Sequence, residues 1–336
     1  MIGAQVGPYL PKGGWQLNAS LSQFATNNEY TGANLRTDLS AANTEVTEGS
    51  TSVDLEATYG VTHQLSATLD APVTLNYHWS TVLAGTRYED TSRGLNDMTL
   101  SGRYWIFNCT RHTDQNIAFD LGVRMPTGNA NSQWMFPNAL GQDLAERPVF
   151  TGAQMGSGAW GIDLGMDGFK QFSKFAIFGT GSYLFSLRGE NHTYSLTAAI
   201  NPNGPTAVPE NERYNSAPDS YLLHVGVAVP VHIPVFPGLS ALFAGRLQGV
   251  PVHNVFGPTV GFRQPGYMFT LEPGLNYDTK LATYSISVPI RTAQNVESSL
   301  GYVRNSDFTH AMLLISVSFN FGGHGGKSSL DPNDGK

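Results

Sequence analysis

Ionisable side chains in this chain tend to fall at every second position of otherwise apolar stretches, a spacing that gathers them on one face of a β-strand. The acids are Asp54, Glu56, Asp70, Asp97, Asp120, Asp163, Asp167 and Glu272; the bases are Arg103, Arg124, Arg246 and Arg291, with His224 beside them. Facing one another across neighbouring strands, carboxylates and guanidinia can do two things. They can form a ladder of ion pairs and hydrogen bonds that fills an enclosed space, or they can line a polar path with acids in excess of arginines. Metal chemistry has less support. His63, His78, His112, His192 and His253 are not paired at ligand spacing, and Cys109 is the only cysteine, so disulfides within the chain and cysteine-bound metal or iron–sulfur sites are excluded. Asp331-Pro332-Asn333-Asp334-Gly335 faintly resembles a calcium loop but lacks its length and closing glutamate. No metal and no cofactor is expected.

The elements that must hold these charges are strands. Period-two alternation recurs about twelve times. Leu17, Ala19 and Leu21 alternate with Asn18, Ser20 and Ser22; Val53, Leu55 and Ala57 with Asp54 and Glu56; Leu65, Ala67 and Leu69 with Ser66, Thr68 and Asp70. Further segments follow at 97–107, 117–124, 162–167, 223–229, 239–248, 269–277, 284–291 and 315–321. The segment 175–187 carries apolar residues on both faces, so its existence as a strand is legible and its register is not.

Composition says where such strands sit. Only 13% of residues are charged, against about 25% in soluble domains, yet no apolar run reaches the 18 or more residues of a membrane helix. A spanning structure without such helices must be a closed barrel, because lipid satisfies no backbone polar group. With 37 glycines and 14 tyrosines, the expected fold is all-β: a transmembrane antiparallel β-barrel of about 12 strands, with short periplasmic turns and long extracellular loops. The aromatic residues Trp15, Tyr59, Tyr104, Trp105, Trp160, Tyr183, Tyr267 and Tyr277 then read as interfacial girdles rather than a ligand path. The net charge of −7 excludes a phosphate-binding basic face, and with it nucleic acid.

Connection lengths agree with a barrel. Long stretches at 27–50, 75–94, 128–157, 188–219, 250–266 and 292–310 alternate with short ones at 61–64, 109–114, 171–174, 231–237 and 278–280, a sorting that Greek-key sandwiches lack. Both termini fall on the short-turn, periplasmic side. The reading divides the chain into a periplasmic segment 1–14, a barrel 15–321 and a flexible tail 322–336. Residues 1–14 lack the basic and apolar regions of a signal peptide, so for the expected location in the bacterial outer membrane the chain reads as a mature or engineered form.

Several ordered motifs sharpen this: Leu10-Pro11-Lys12-Gly13-Gly14-Trp15, Leu95-Asn96-Asp97-Met98-Thr99-Leu100, Arg103-Tyr104-Trp105, Arg124-Met125-Pro126-Thr127-Gly128, Gly249-Val250-Pro251-Val252, Gly261-Phe262-Arg263-Gln264-Pro265-Gly266-Tyr267 and Glu272-Pro273-Gly274. Together they resemble a transporter-like family of outer-membrane proteins named for the meta-pathway of phenol degradation. The resemblance implies an outer-membrane barrel with a role in small-molecule passage, and carries neither a catalytic motif nor a substrate. Phe319-Asn320-Phe321 also resembles the aromatic end by which outer-membrane strands are recognised for insertion, though a tail follows it.

Charges at the alternating positions cannot face lipid, where each costs about 2–4 kcal/mol at the midplane, so all thirteen are expected to line the interior. No catalytic residue is expected: a barrel phospholipase needs a Ser–His pair on its outer wall, whereas His224 points inward and Gly156-Ser157-Gly158 lacks nucleophile-elbow spacing. Two readings stay open. One is a channel or facilitator for small, hydrophobic or aromatic molecules; the other is a structural barrel with a closed lumen, a subunit of a larger surface complex. Partners are then membrane lipids, an unidentified solute, and proteins met through the long loops or the tail.

Overall fold

The computed structural model describes residues 9–279 and 281–322. The expected tail, apart from Gly322, and residues 1–8 of the N-terminal segment lie outside the described residues.

Alternation of polar and apolar residues produces twelve antiparallel barrel strands: β1 (Trp15–Thr26), β2 (Thr47–Gly60), β3 (Leu65–Leu83), β4 in two pieces (Thr86–Leu95 and Met98–Trp105), β5 (Gln115–Met125), β6 (Gly161–Gln171), β7 (Ala176–Ser186), β8 (Ser220–Pro230), β9 (Leu239–Val250), β10 (Gly266–Asp278), β11 in two pieces (Ala282–Ser287 and Ile290–Val296) and β12 (Met312–Phe321). Each pairs with its sequence neighbours, and β1 pairs with β12, so the sheet is closed and has no free edge. At the seam Trp15 stands opposite Phe321 and Leu17 opposite Phe319, while the Gln16 amide donates to Asn320 Oδ1 at 3.0 Å. An even number of strands brings both ends of the barrel to one rim, the rim of the short turns.

The alternate faces have separate fates. Leu17, Leu55, Leu100, Phe119, Leu121, Met166, Val225, Phe243 and Ile286 are exposed on the outer wall, while Ser20, Ser22, Asp54, Asp167, Thr180, His224, Arg246, Thr270 and Glu272 are buried. Apolar-out and polar-in is the arrangement a bilayer imposes. The register of β7 is resolved by its neighbours: Thr180 pairs with Asp167 and with His224, which puts Phe178, Thr180, Ser182 and Leu184 on the inner face.

Two of the expected long loops contain more strand than their polarity suggests. The stretch 75–94 is a hairpin: β3 runs on to Leu83, turns at Ala84 and Gly85, both with positive φ, and returns as the first piece of β4. The second piece of β11 likewise carries the stretch beginning at 292 out to Val296. Both broken strands yield at proline. Pro72 and Pro289 have no N–H for the ladder, and the strand opposite or the strand itself parts there: Asn96 N donates to Pro72 O at 2.8 Å and Met312 N to Pro289 O at 3.0 Å.

Apolar packing sits at the two ends. Above the barrel on the long-loop side, Tyr77, Trp79, Phe136, Val149, Ala153, Met155 and Leu196 form a cluster that joins the hairpin to the 128–157 and 188–219 loops. At the short-turn rim, Trp105, Cys109 and Ala118 pack with Phe169 and with Tyr9 of the N-terminal segment. Trp105, expected among the interfacial girdle residues, is therefore buried at this rim, its ring edge-on to Tyr9 at 5.2 Å.

Candidate functional site

The inward charges form separate groups, each set by strand register. Arg103 on β4 stands directly opposite Asp120 on β5, and its Nε donates to Asp120 Oδ1 at 2.7 Å while Nη2 reaches Asp167 Oδ2 on β6 at 2.5 Å. One guanidinium thereby holds two carboxylates from two neighbouring strands. Gly165 makes room for this: a Cβ there would sit 2.9 Å from Asp120 Cβ.

Across the barrel, β8, β9 and β10 bring His224, Arg246 and Glu272 together. Arg246 donates to Glu272 Oε2 through Nε at 3.0 Å and Nη2 at 2.9 Å, Ser287 Oγ donates to Oε1 at 2.7 Å, and His224 Nε2 lies 3.3 Å from Oε2. The side chains of Arg246 and Glu272 are each only 2% exposed, against 26% for Arg103. Phe178 stands edge-on to the His224 ring at 5.5 Å and closes this group off. The two sides of the lumen thus differ. One wall is filled with a buried ionic cluster in which both oxygens of the Glu272 carboxylate are paired, whereas the other presents charge to the interior.

Asp97 and Arg124 are neighbours on the second wall, with Arg124 Nε 4.0 Å from Asp97 Oδ2. Asp97 has a further task that the alternation does not reveal: it accepts from Gly128 N at 3.1 Å, Ser157 N at 2.8 Å and Ser157 Oγ at 2.6 Å, and so ties the 128–157 loop to the barrel top. Asp163 is half-buried and has no ion pair within 4.0 Å among the described residues. Arg291 belongs to the loop side: it donates to Phe308 O and to the Tyr30 hydroxyl and lies over the Tyr30 ring. Asp54, Glu56 and Asp70 converge on β2 and β3, with Glu56 directly opposite Asp70.

Sequence reasoning missed the residues that fix the loops. Asp219 accepts from Ser186 N and Val255 N, each at 2.8 Å, and Arg263, 2% exposed, donates to Ser216 Oγ at 2.7 Å and Asn254 Oδ1 at 3.0 Å. Arg304 pairs with Glu212. Arg263 lies inside the motif Gly261–Tyr267, one of those that carry the family resemblance, which was the available signal; Asp219 and Glu212 sit in polar loops that offer none. Burial pushes the Asp307 carboxyl up to about 8, with Glu48 and Glu29 adding repulsion, and pushes the Cys109 thiol up to about 11, which keeps it an unreactive thiol at neutral pH.

No family model and no curated protein sequence matches the chain. Among solved structures, an outer membrane channel from Pseudomonas putida F1 aligns over 96% of this chain and 100% of its own, with a TM-score of 0.61 and 13% identity. The translocator domain of the autotransporter NalP from Neisseria meningitidis covers 92% of this chain and 89% of its own (TM-score 0.45, 9% identity). The TodX monoaromatic hydrocarbon channel, in a deltaS2 mutant, covers 94% and 92% (TM-score 0.44, 10% identity). The first likeness is one of fold, the closed twelve-stranded barrel of outer-membrane proteins.

Proposed function

We propose that this chain is an outer-membrane channel or facilitator for small molecules, with hydrophobic or aromatic solutes as its cargo class and both termini in the periplasm. The observation that carries the reading is the charged wall of Arg103, Asp120 and Arg124, whose side chains stay 26%, 12% and 16% exposed inside a barrel whose outer face is apolar. A barrel that needed only to be stable would fill this wall as it fills the one around Glu272. The motif resemblance to the phenol meta-pathway barrels points the same way, as does the fold shared with the P. putida channel. Asp54, Glu56, Asp70, Asp163 and Asp167 are then further lining residues of the same path.

A structural barrel with a closed lumen is the second reading. What favours it is the apolar cluster of Tyr77, Trp79, Phe136 and Leu196, which packs the loops together over the long-loop end. Reconstitution into planar bilayers and into liposomes separates the two. Discrete conductance steps, and uptake of small aromatic solutes faster than in empty liposomes, are expected of a channel; silence in both assays from folded barrel sinks it.

A further inference from the structure

Asp54, Glu56 and Asp70 place their carboxylate oxygens within 4.8 Å of one another. Strand pairing assembles them: Asp54 and Glu56 are two apart on the inner face of β2, and Glu56 stands directly opposite Asp70 on β3. Like charges in directly opposed positions destabilise a sheet, and here a third carboxylate is added to the pair. The inner-wall acids of the other clusters meet this problem with a base: Asp120 and Asp167 have Arg103, and Glu272 has Arg246. This trio has no arginine, lysine or histidine within 4.0 Å among the described residues; its hydrogen-bond donor is the Asn18 amide, which serves Glu56 Oε2 at 3.3 Å.

A second observation is independent of the clustering. Asp54 is 6% exposed, and its Oδ1 is sealed from solvent without a hydrogen-bond partner among the described residues, as is Oδ1 of Asp70. Buried carboxylate oxygens are normally paired or bound to a metal. Both orphan groups belong to side chains whose oxygens converge on the same point.

We propose that these three residues bind a hard divalent cation of the calcium class in the barrel wall. Two Ca–O bonds of about 2.4 Å span about 4.8 Å, so oxygens this close can share one ion without moving the strands. The donor set is all oxygen, with no thiolate or imidazole, which suits calcium and disfavours zinc or copper. The ion offsets two of three negative charges and gives the carboxylates that carry the orphan oxygens a partner. Histidine spacing could not have announced such a site, because its ligands come from two strands and meet through register. The inference does not depend on passage of solutes through the lumen.

The test is calorimetric titration of the refolded full chain with CaCl2, followed by thermal unfolding with and without the ion. One calcium per barrel with saturable heat is expected, together with a higher unfolding temperature in calcium. The triple variant D54N/E56Q/D70N, near-isosteric and free of the repulsion, is expected to refold, to be more heat-stable than the native chain without calcium, and to bind calcium at least tenfold more weakly. D70N alone is expected to weaken binding in the same direction and serves if the triple variant does not refold. Absence of saturable binding at about 10 mM CaCl2, well above the weakest extracellular calcium sites, overturns the proposal, as does binding that the substitutions leave unchanged. Because neither measurement involves flux, a conducting barrel that ignores calcium refutes this site alone, and a silent barrel that binds calcium refutes only the channel.

Discussion

Arg246 illustrates how one side chain on an inner wall determines the fate of its neighbours. Its two donated hydrogen bonds to Glu272 Oε2, together with the Ser287 bond to Oε1, leave the carboxylate fully used in a space that is 2% exposed. Removing the guanidinium strands a buried anion, so R246A is expected to cost about 3–5 kcal/mol, the scale for breaking a buried pair. Replacing both partners by leucine should recover most of that loss. Urea unfolding followed by tryptophan fluorescence checks both variants, and a single-mutant loss under about 1 kcal/mol would show the cluster to be solvated. By contrast the exposed Arg36–Asp38 pair, at the start of the short helix Thr37–Ala41, is screened by water, so R36A should leave the unfolding midpoint almost unchanged. That Arg246 and Glu272 face inward was legible from alternation. That they meet each other was not, because the partner of a given residue depends on the stagger at which the barrel closes: Arg246 is level with Thr270, and Glu272 with Ala244.

Strands announce themselves in the sequence only where their two faces meet different solvents. Eleven of the twelve barrel strands were readable for that reason, since one face meets lipid and the other a polar interior; in β7 the inward Phe178 and Leu184 blur the contrast, so the strand was legible and its register was not. The hairpin from Leu75 to Leu95 was not, because its upper part rises past the apolar belt: Arg87, Glu89 and Thr91 alternate with Tyr88, Asp90 and Ser92, and no contrast remains. Elements above the belt are held by the apolar cluster around Trp79 and Phe136 and by individual polar anchors. Asp97, at the break in β4, binds the 128–157 loop through three donors, and the backbones there touch so closely that a Cβ on Gly128 would lie 2.3 Å from Met155 O. D97A therefore should free this loop while leaving the barrel closed. The expected result is faster proteolytic cleavage within 128–157 in the folded protein, with G128A shifting it in the same direction and the unfolding temperature of the barrel almost unchanged. Equal cleavage rates in native and D97A protein would show that the apolar cluster of Trp79 and Phe136, rather than Asp97, holds the loop.

For the molecule as a whole, the decisive asymmetry is between a filled wall and a charged one. Charges that a permeating ion can feel must be incompletely buried: the side chains of Arg103 and Arg124 are 26% and 16% exposed, that of Arg246 only 2%. Around the first two stand Asp97, Asp120, Asp163 and Asp167, and Asp54, Glu56 and Asp70 continue the acidic surface toward β2. Acids outnumber arginines on this side, so the native barrel, reconstituted between asymmetric KCl solutions, should show a reversal potential favouring potassium over chloride. Neutralising the exposed bases in R103Q/R124Q removes the positive part of that field and should raise the preference for cations severalfold. R246Q/E272Q, which removes both charges of the buried pair together, should leave the ratio where it was, since the pair is neutral as a unit and screened from the path. Lower salt should widen the difference between the variants, because the Debye length grows from about 10 Å at 0.1 M to about 30 Å at 0.01 M. If instead R246Q/E272Q moves the reversal potential and R103Q/R124Q does not, the path runs along β8, β9 and β10, and the division of the lumen drawn from side-chain exposure is the wrong way round.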